Sequence, residues 1–117
     1  MKLLILLFLF MSVDQPRKVL LFYKEDGKVL YDRQIADLQK QKGGLAERDI
    51  EISSFPYSAQ TASVWAKNKI DKDSAFTFIL IGRDGGEKYR SVMLVTAVTL
   101  FGQIDAMPMR RSEVRRK

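Results

Sequence analysis

Side chains able to do chemistry are few in this chain, and the missing ones are as informative as those present. Among 117 residues there is no cysteine and no histidine. Thiol exchange needs a thiolate as its attacking atom, so disulfide reduction and thiol-based peroxide reduction are excluded. Ser-His triads lack their imidazole base, and zinc sites lack their preferred ligands. Two pairs of carboxylates remain, Glu25 with Asp26 and Asp71 with Asp73. Such pairs could act as acid and base or hold calcium through oxygen, or they could serve as ordinary turn and capping acids. No twelve-residue calcium-loop pattern accompanies them. Gly82-Arg-Asp-Gly-Gly86 could present successive amides to an anion or simply close a hairpin. It has neither phosphate-loop nor GxGxxG spacing, which favours the hairpin. No catalytic residue, metal ligand or cofactor-binding residue is assigned, and no cofactor is expected.

The remaining candidates are contact residues. Twenty Lys and Arg against fourteen Asp and Glu give a formal charge of +6. Arg110, Arg111, Arg115, Arg116 and Lys117 against Glu113 place +4 of this in the last eight residues. The sequence therefore predicts a basic C-terminal tail over 110–117. Arg110 and Arg111 are candidate partner-binding residues, because guanidinium grips carboxylate or phosphate in a two-pronged geometry. Met107 and Met109, on either side of Pro108, could add an adaptable apolar contact or cover the core. The favoured reading of the same arginines is structural: Asp105, Arg110 and Arg111 could form charge pairs with Glu47, Arg48 and Asp49 and tie one end of the fold together. The basic residues are not spread over a face with interleaved aromatics, so no nucleic-acid partner is expected.

These residues need a body to position them. Hydrophobic residues at 46% and charged residues at 29% describe an ordinary globular chain with room for one domain. Lys2 followed by nine apolar residues, Leu3 to Met11, has the form of a secretory signal over residues 1–13. Nine helical residues rise only about 14 Å, too short for a hydrocarbon core of about 30 Å, so no transmembrane span is expected. Export to the periplasm or outside the cell is the expected localisation, with a buried N-terminal strand as the alternative.

The domain proper is read over 17–109. Arg17 to Tyr23 is a continuous apolar run closed by Asp26-Gly27, the signature of a central strand. A one-sided helix is predicted from Asp32 to Lys42, ending at Gly43-Gly44, and a strand over Arg48 to Ser53. A short helix capped by Ser58 or Thr61 carries Val64, Trp65 and Ile70, with Trp65 a core anchor. Phe76 to Ile81 and Glu87 to Val92 form an antiparallel pair, and a helix over Thr96 to Ala106 is predicted to stop at Pro108. The fold class is α/β: a mixed four-stranded sheet with flanking helices in the order β-α-β-α-β-β-α, the first two strands parallel through a crossover.

That order, with Phe78-Ile-Leu-Ile-Gly-Arg-Asp-Gly85 as third strand and turn, resembles the thioredoxin and peroxiredoxin fold. Three segments sharpen the resemblance: Leu45-Ala-Glu-Arg-Asp-Ile50, Leu80-Ile-Gly-Arg-Asp-Gly-Gly-Glu-Lys88 and Ile104-Asp-Ala-Met-Pro-Met-Arg-Arg-Ser-Glu113. Together they resemble the P-DUDES family, short exported bacterial domains of unknown function related to domains of vertebrate matrix and sushi-repeat proteins. The chain departs from working thioredoxins where a Cys-x-x-Cys would follow the first strand, which here reads Tyr23-Lys-Glu-Asp-Gly27. It departs again where a proline would precede the third strand, which here reads Ala75-Phe76. The resemblance implies export and a thioredoxin-like fold; the absence of thiols then points to a non-catalytic module that binds an envelope component or another macromolecule through Arg110, Arg111 and the tail, which could also meet an anionic surface. The alternative is a divergent relative of thioredoxins or peroxiredoxins working through non-thiol groups, carboxylates or backbone amides in the groove beside Tyr23 to Gly27.

Overall fold

A computed structural model of the chain describes residues 15–116, with side chains described through residue 114. The expected signal segment, 1–13, lies outside the described residues. At the centre is β1 (Arg17–Tyr23), whose apolar run is explained by burial on both faces. It pairs in parallel with β2 (Ile50–Pro56) and antiparallel with β3 (Phe76–Ile81), and β3 pairs antiparallel with β4 (Glu87–Ser91). The sheet order is β2-β1-β3-β4.

Because side chains alternate across a strand, each central strand feeds two cores. Val19, Leu21, Phe76, Phe78 and Leu80 meet Leu38, Leu45, Leu100 and Ile104 on one face. These last four come from α1 (Lys28–Gln39), α2 (Lys42–Glu47) and α4 (Ala97–Asp105). On the other face Phe22 and Ile79 meet Trp65 and Ile70, supplied by the short α3 (Ala62–Lys67) and the turn after it. Trp65 is the anchor the sequence predicts: it is 1% exposed, sits edge-on to Phe22, and its Nε1 donates to the Phe55 carbonyl at 3.0 Å.

Several boundaries differ from expectation for identifiable reasons. Gly43 and Gly44 do not end a helix; they lie inside α2. Gly44 is there for space, since a Cβ would come within 2.5 Å of the Phe101 ring. Thr96 caps α4 by accepting from the Thr99 amide, as such residues do at helix starts. Pro108 does not release the chain. It opens a further helix, α5 (Pro108–Arg116), at a first-turn position where a missing amide hydrogen costs nothing. The free basic tail expected over 110–117 is therefore corrected to a helix through residue 116.

Two left-handed residues shape the connections, Asp49 at φ 54° and Lys69 at φ 53°. Asp49 is a residue type that tolerates this region, and its carbonyl accepts from the Arg17 amide at 2.9 Å, steering the chain from α2 into β2.

Candidate functional site

The chemistry-bearing residues collect at the two ends of β1, separated by a seven-residue strand of about 20 Å. At its start, four arginines and four carboxylates interlock. Arg110 is only 2% exposed. Its guanidinium meets Glu47 at 3.0 Å, Asp105 at 3.3 Å and Glu113 at 3.4 Å. Arg48 grips Asp105 with two donors, Nε at 3.0 Å and Nη2 at 2.9 Å. Its guanidinium carbon lies 4.1 Å from the centre of the Phe101 ring. Arg83 reaches Glu113 at 2.8 Å and Asp49 at 2.9 Å. Arg17, 1% exposed, donates to the Arg48 carbonyl at 2.8 Å and to Glu113 at 3.2 Å.

This network latches α5 onto the sheet. Glu113 accepts from Arg17 and Arg83 through one oxygen and from Arg110 through the other, joining β1, the β3–β4 hairpin and α5. Burial pushes the Glu113 carboxyl upward, but hydrogen bonds from Arg83 and Arg17 outweigh it and hold the group below its ordinary value. Asp105 is held low chiefly by its hydrogen bond from Arg48 and further by Arg110. Every segment that carries the family resemblance contributes: Glu47, Arg48 and Asp49 from the first, Arg83 from the second, Asp105, Arg110 and Glu113 from the third. Sequence reasoning favoured charge pairs between Glu47, Arg48, Asp49 and Asp105, Arg110, Arg111, and the structure makes two of them, Glu47 with Arg110 and Arg48 with Asp105. It missed Arg17 and Arg83 as members. The available signal was a charged residue at the mouth of an otherwise largely apolar strand, beside a hairpin turn that did not need an arginine.

The four contact candidates separate. Arg110 is turned inward and has no free fork for a partner, because three carboxylates already occupy it. Arg111 is exposed and makes no ion pair among the described residues. Met107 packs against the main core, whereas Met109 is 50% exposed. Met107, Pro108 and Met109 line a hollow of about 330 Å³ with Arg17, Arg83 and Lys88. Arg111 and Val114 border a shallower one, about 500 Å³, over Glu47 and Arg48.

The Gly82 to Gly86 turn spends its amides on itself. Gly82 donates to the Gly86 carbonyl, Gly85 to the Gly82 carbonyl and Gly86 to the Asp84 side chain, with Gly85 at φ 84°. Hairpin closure, not anion binding, accounts for these residues.

At the far end of β1, Lys24 begins a tight 3-10 turn, Glu25–Gly27. The Lys24 amide donates to the Ala75 carbonyl at 2.9 Å. A Cβ on Gly27 would fall 2.1 Å from that same oxygen, so only glycine fits. Glu25 and Asp26 are exposed on this turn. Asp71 instead accepts from the Asp73 amide, a local turn bond. Among the described residues no three acidic side chains converge as a metal site, and no helix is long and apolar enough to cross a membrane.

A four-stranded mixed sheet of order β2-β1-β3-β4 with helices on both faces defines a thioredoxin-like domain. Solved structures agree. Thioredoxin-2, a component of malaria parasite protein secretion machinery, is 16% identical over 79% of this chain and 84% of its own, with a TM-score of 0.62. The reduced 2-Cys peroxiredoxin of Plasmodium vivax is 16% identical over 91% of this chain and 84% of its own, with a TM-score of 0.65. Trxlp from Edwardsiella tarda EIB202 is 20% identical over 85% and 91%, with a TM-score of 0.54. At such identities the likeness is one of fold. The chain belongs to the family described as Domain of unknown function (DUF4174), whose model matches residues 11–113. No curated protein matches it. It is thus a thioredoxin-like domain of this family without the cysteines that thiol chemistry requires.

Proposed function

We propose that this chain is an exported binding module of the P-DUDES group, using a thioredoxin scaffold without catalysis to hold an envelope or extracellular macromolecule. The observation that carries the reading is the turn after β1. Where a redox pair would stand, Tyr23 to Gly27 hold no thiol, and Lys24 and Gly27 are seated directly on the Ala75 carbonyl. The leader-like run Leu3 to Met11 supports export.

The contact surface is the outer side of α5 around Arg111. Arg111 supplies a cation not consumed by the latch, and Val114, 52% exposed, supplies apolar contact beside it on the same hollow. A partner bearing carboxylate or phosphate groups matches that surface. Two experiments test the reading. Cell fractionation with mass measurement of the N-terminus should find processed protein outside the cytosol; intact protein in the cytosol overturns export. Pull-down from envelope fractions should lose its specific partners in Arg111→Glu but keep them in Lys40→Glu, a control elsewhere on the surface. Unchanged capture by Arg111→Glu removes α5 as the contact.

A further inference from the structure

The end of β1 opposite the latch has a geometry of its own. After β1 the chain turns into α1 on the face of the larger core, whereas after β2 it passes to α3 on the opposite face. The connections of two neighbouring parallel strands thus part at Tyr23 and Pro56. In open α/β sheets such a divergence beyond the carboxyl ends of the strands leaves a crevice that binds ligands. Here the ends are held together by the Tyr57 amide donating to the Tyr23 carbonyl at 2.9 Å. Beside them lies a hollow of about 370 Å³ lined by Tyr23, Lys24, Glu25, Lys28, Pro56 and Tyr57.

Its aromatic walls are fixed from behind. Tyr57 is 44% exposed, yet its ring meets buried Trp65 edge-on at 4.8 Å. Tyr23 stacks on Tyr31 at 3.9 Å, and the Tyr31 hydroxyl hydrogen-bonds the Ser54 hydroxyl at 2.7 Å. Rings held in this way offer contact area with little conformational entropy left to lose. The charge around them is weighted toward cations. Lys24 and Lys28 face Glu25 in the lining, and Lys72 lies 6.0 Å from the Tyr57 ring centre. Lys28 pairs with Asp32 at 2.7 Å, but both are more than half exposed, so the pair yields readily to a competing anion. Lys24 donates to the Lys72 carbonyl, which leaves further ammonium hydrogens for a ligand. Within the lining itself, Lys24 and Lys28 against Glu25 leave one positive charge in excess.

We infer that this hollow binds a ring compound carrying an acidic group, a sugar or aromatic ring with a carboxylate or phosphate. The ring lies against Tyr57 and Pro56, and the acid meets Lys24 and Lys28. A neutral ring forgoes the lysines; a bare anion forgoes the stacking, which is worth about tenfold or more in affinity. The site is independent of the α5 surface.

Trp65 is the chain's single tryptophan and touches Tyr57, so its emission reports on the hollow. The full chain would be titrated with trigalacturonate and with phenyl phosphate, and with maltotriose and inorganic phosphate as ring-only and anion-only probes. Amide chemical shifts serve as a second readout. At least one acidic ring probe should saturate at about 1 mM or below and shift the amides of residues 23–28 and 57; which one does so distinguishes sugar from aromatic ligands. Maltotriose and phosphate should bind about tenfold more weakly or not at all. Lys24→Gln and Lys28→Gln, both replacing surface lysines, should each weaken binding severalfold, while Arg111→Ala should leave it unchanged. Failure of both acidic ring probes to saturate or to shift these amides overturns the site. So does equal binding of inorganic phosphate, or wild-type affinity in both lysine variants.

Discussion

The two ends of β1 solve opposite problems with similar residue types. At the Arg17 end, charges are drawn inward until four guanidiniums and four carboxylates neutralise one another around Glu113 and Asp105. At the Tyr23 end, Lys24, Lys28 and Lys72 stay at the surface over exposed or half-buried rings. Arginine suits the first task because its planar fork satisfies several carboxylates at once, whereas lysine's compact ammonium suits the second. A basic residue here is therefore structural or available for contact according to what its side chain is packed against, not according to its charge, and Arg110 and Arg111 differ in this at one end of the fold.

Glycine and aromatic contacts at the Tyr23 end give the sharpest way to break that contrast. Gly27→Ala drives a methyl group into the Ala75 carbonyl oxygen, a rigid backbone neighbour. It should cost about 3 kcal/mol, measured by denaturant unfolding, with disruption centred on the turn. At the latch, Glu113→Ala strips a shared acceptor from Arg17, Arg83 and Arg110. A loss of about 2–3 kcal/mol is expected, because buried Arg17 keeps only the Arg48 carbonyl and buried Arg110 loses one of its three carboxylates. A loss under 0.5 kcal/mol would show that the cluster is ornamental.

Acid should separate the ends as well. Glu113 and Asp105 have folded-state values held below their ordinary ones, so their stabilisation is present above the unfolded values of about 4. It is lost as pH falls from there through the depressed folded values. Unfolding curves between pH 6 and pH 3 should lose less stability in Glu113→Gln than in the parent chain; parallel curves contradict the latch. The smallest effect belongs to the surface: Asp32→Asn, which removes the exposed partner of Lys28, should change stability by about 0.5 kcal/mol or less.

What the sequence disclosed divides along the same axis. The β3–β4 hairpin was legible because its turn is local: Asp84 and the flanking glycines fix their own backbone. Strand β1 was legible because Val19 to Tyr23, packed on both faces of the sheet, leave a continuous apolar run. Gly44 was misread as a helix end because its purpose is a contact with Phe101, 57 residues away in the chain. Pro108 was read only as a stop, and α4 does end before it, but proline is equally at home in a helix's first turn and here opens α5. Arg110 resembled a tail residue because its burial depends on Glu47, Asp105 and Glu113, a convergence visible only after α5 docks. A groove beside Tyr23 to Gly27 was raised from the sequence, but its far wall had no signature there, since Pro56 and Tyr57 join Tyr23 and Lys24 only through strand pairing.

The most direct test compares neighbours. Arg110→Ala and Arg111→Ala remove the same charge one residue apart, so equilibrium unfolding of the two variants isolates position from chemistry. Arg110→Ala should lose about 2 kcal/mol, somewhat less than a fully buried pair because Glu47 and Asp105 are half exposed, while Arg111→Ala should stay within about 0.5 kcal/mol of the parent. Equal, small losses in both would contradict the account and return residues 110–117 to the status of a free basic tail.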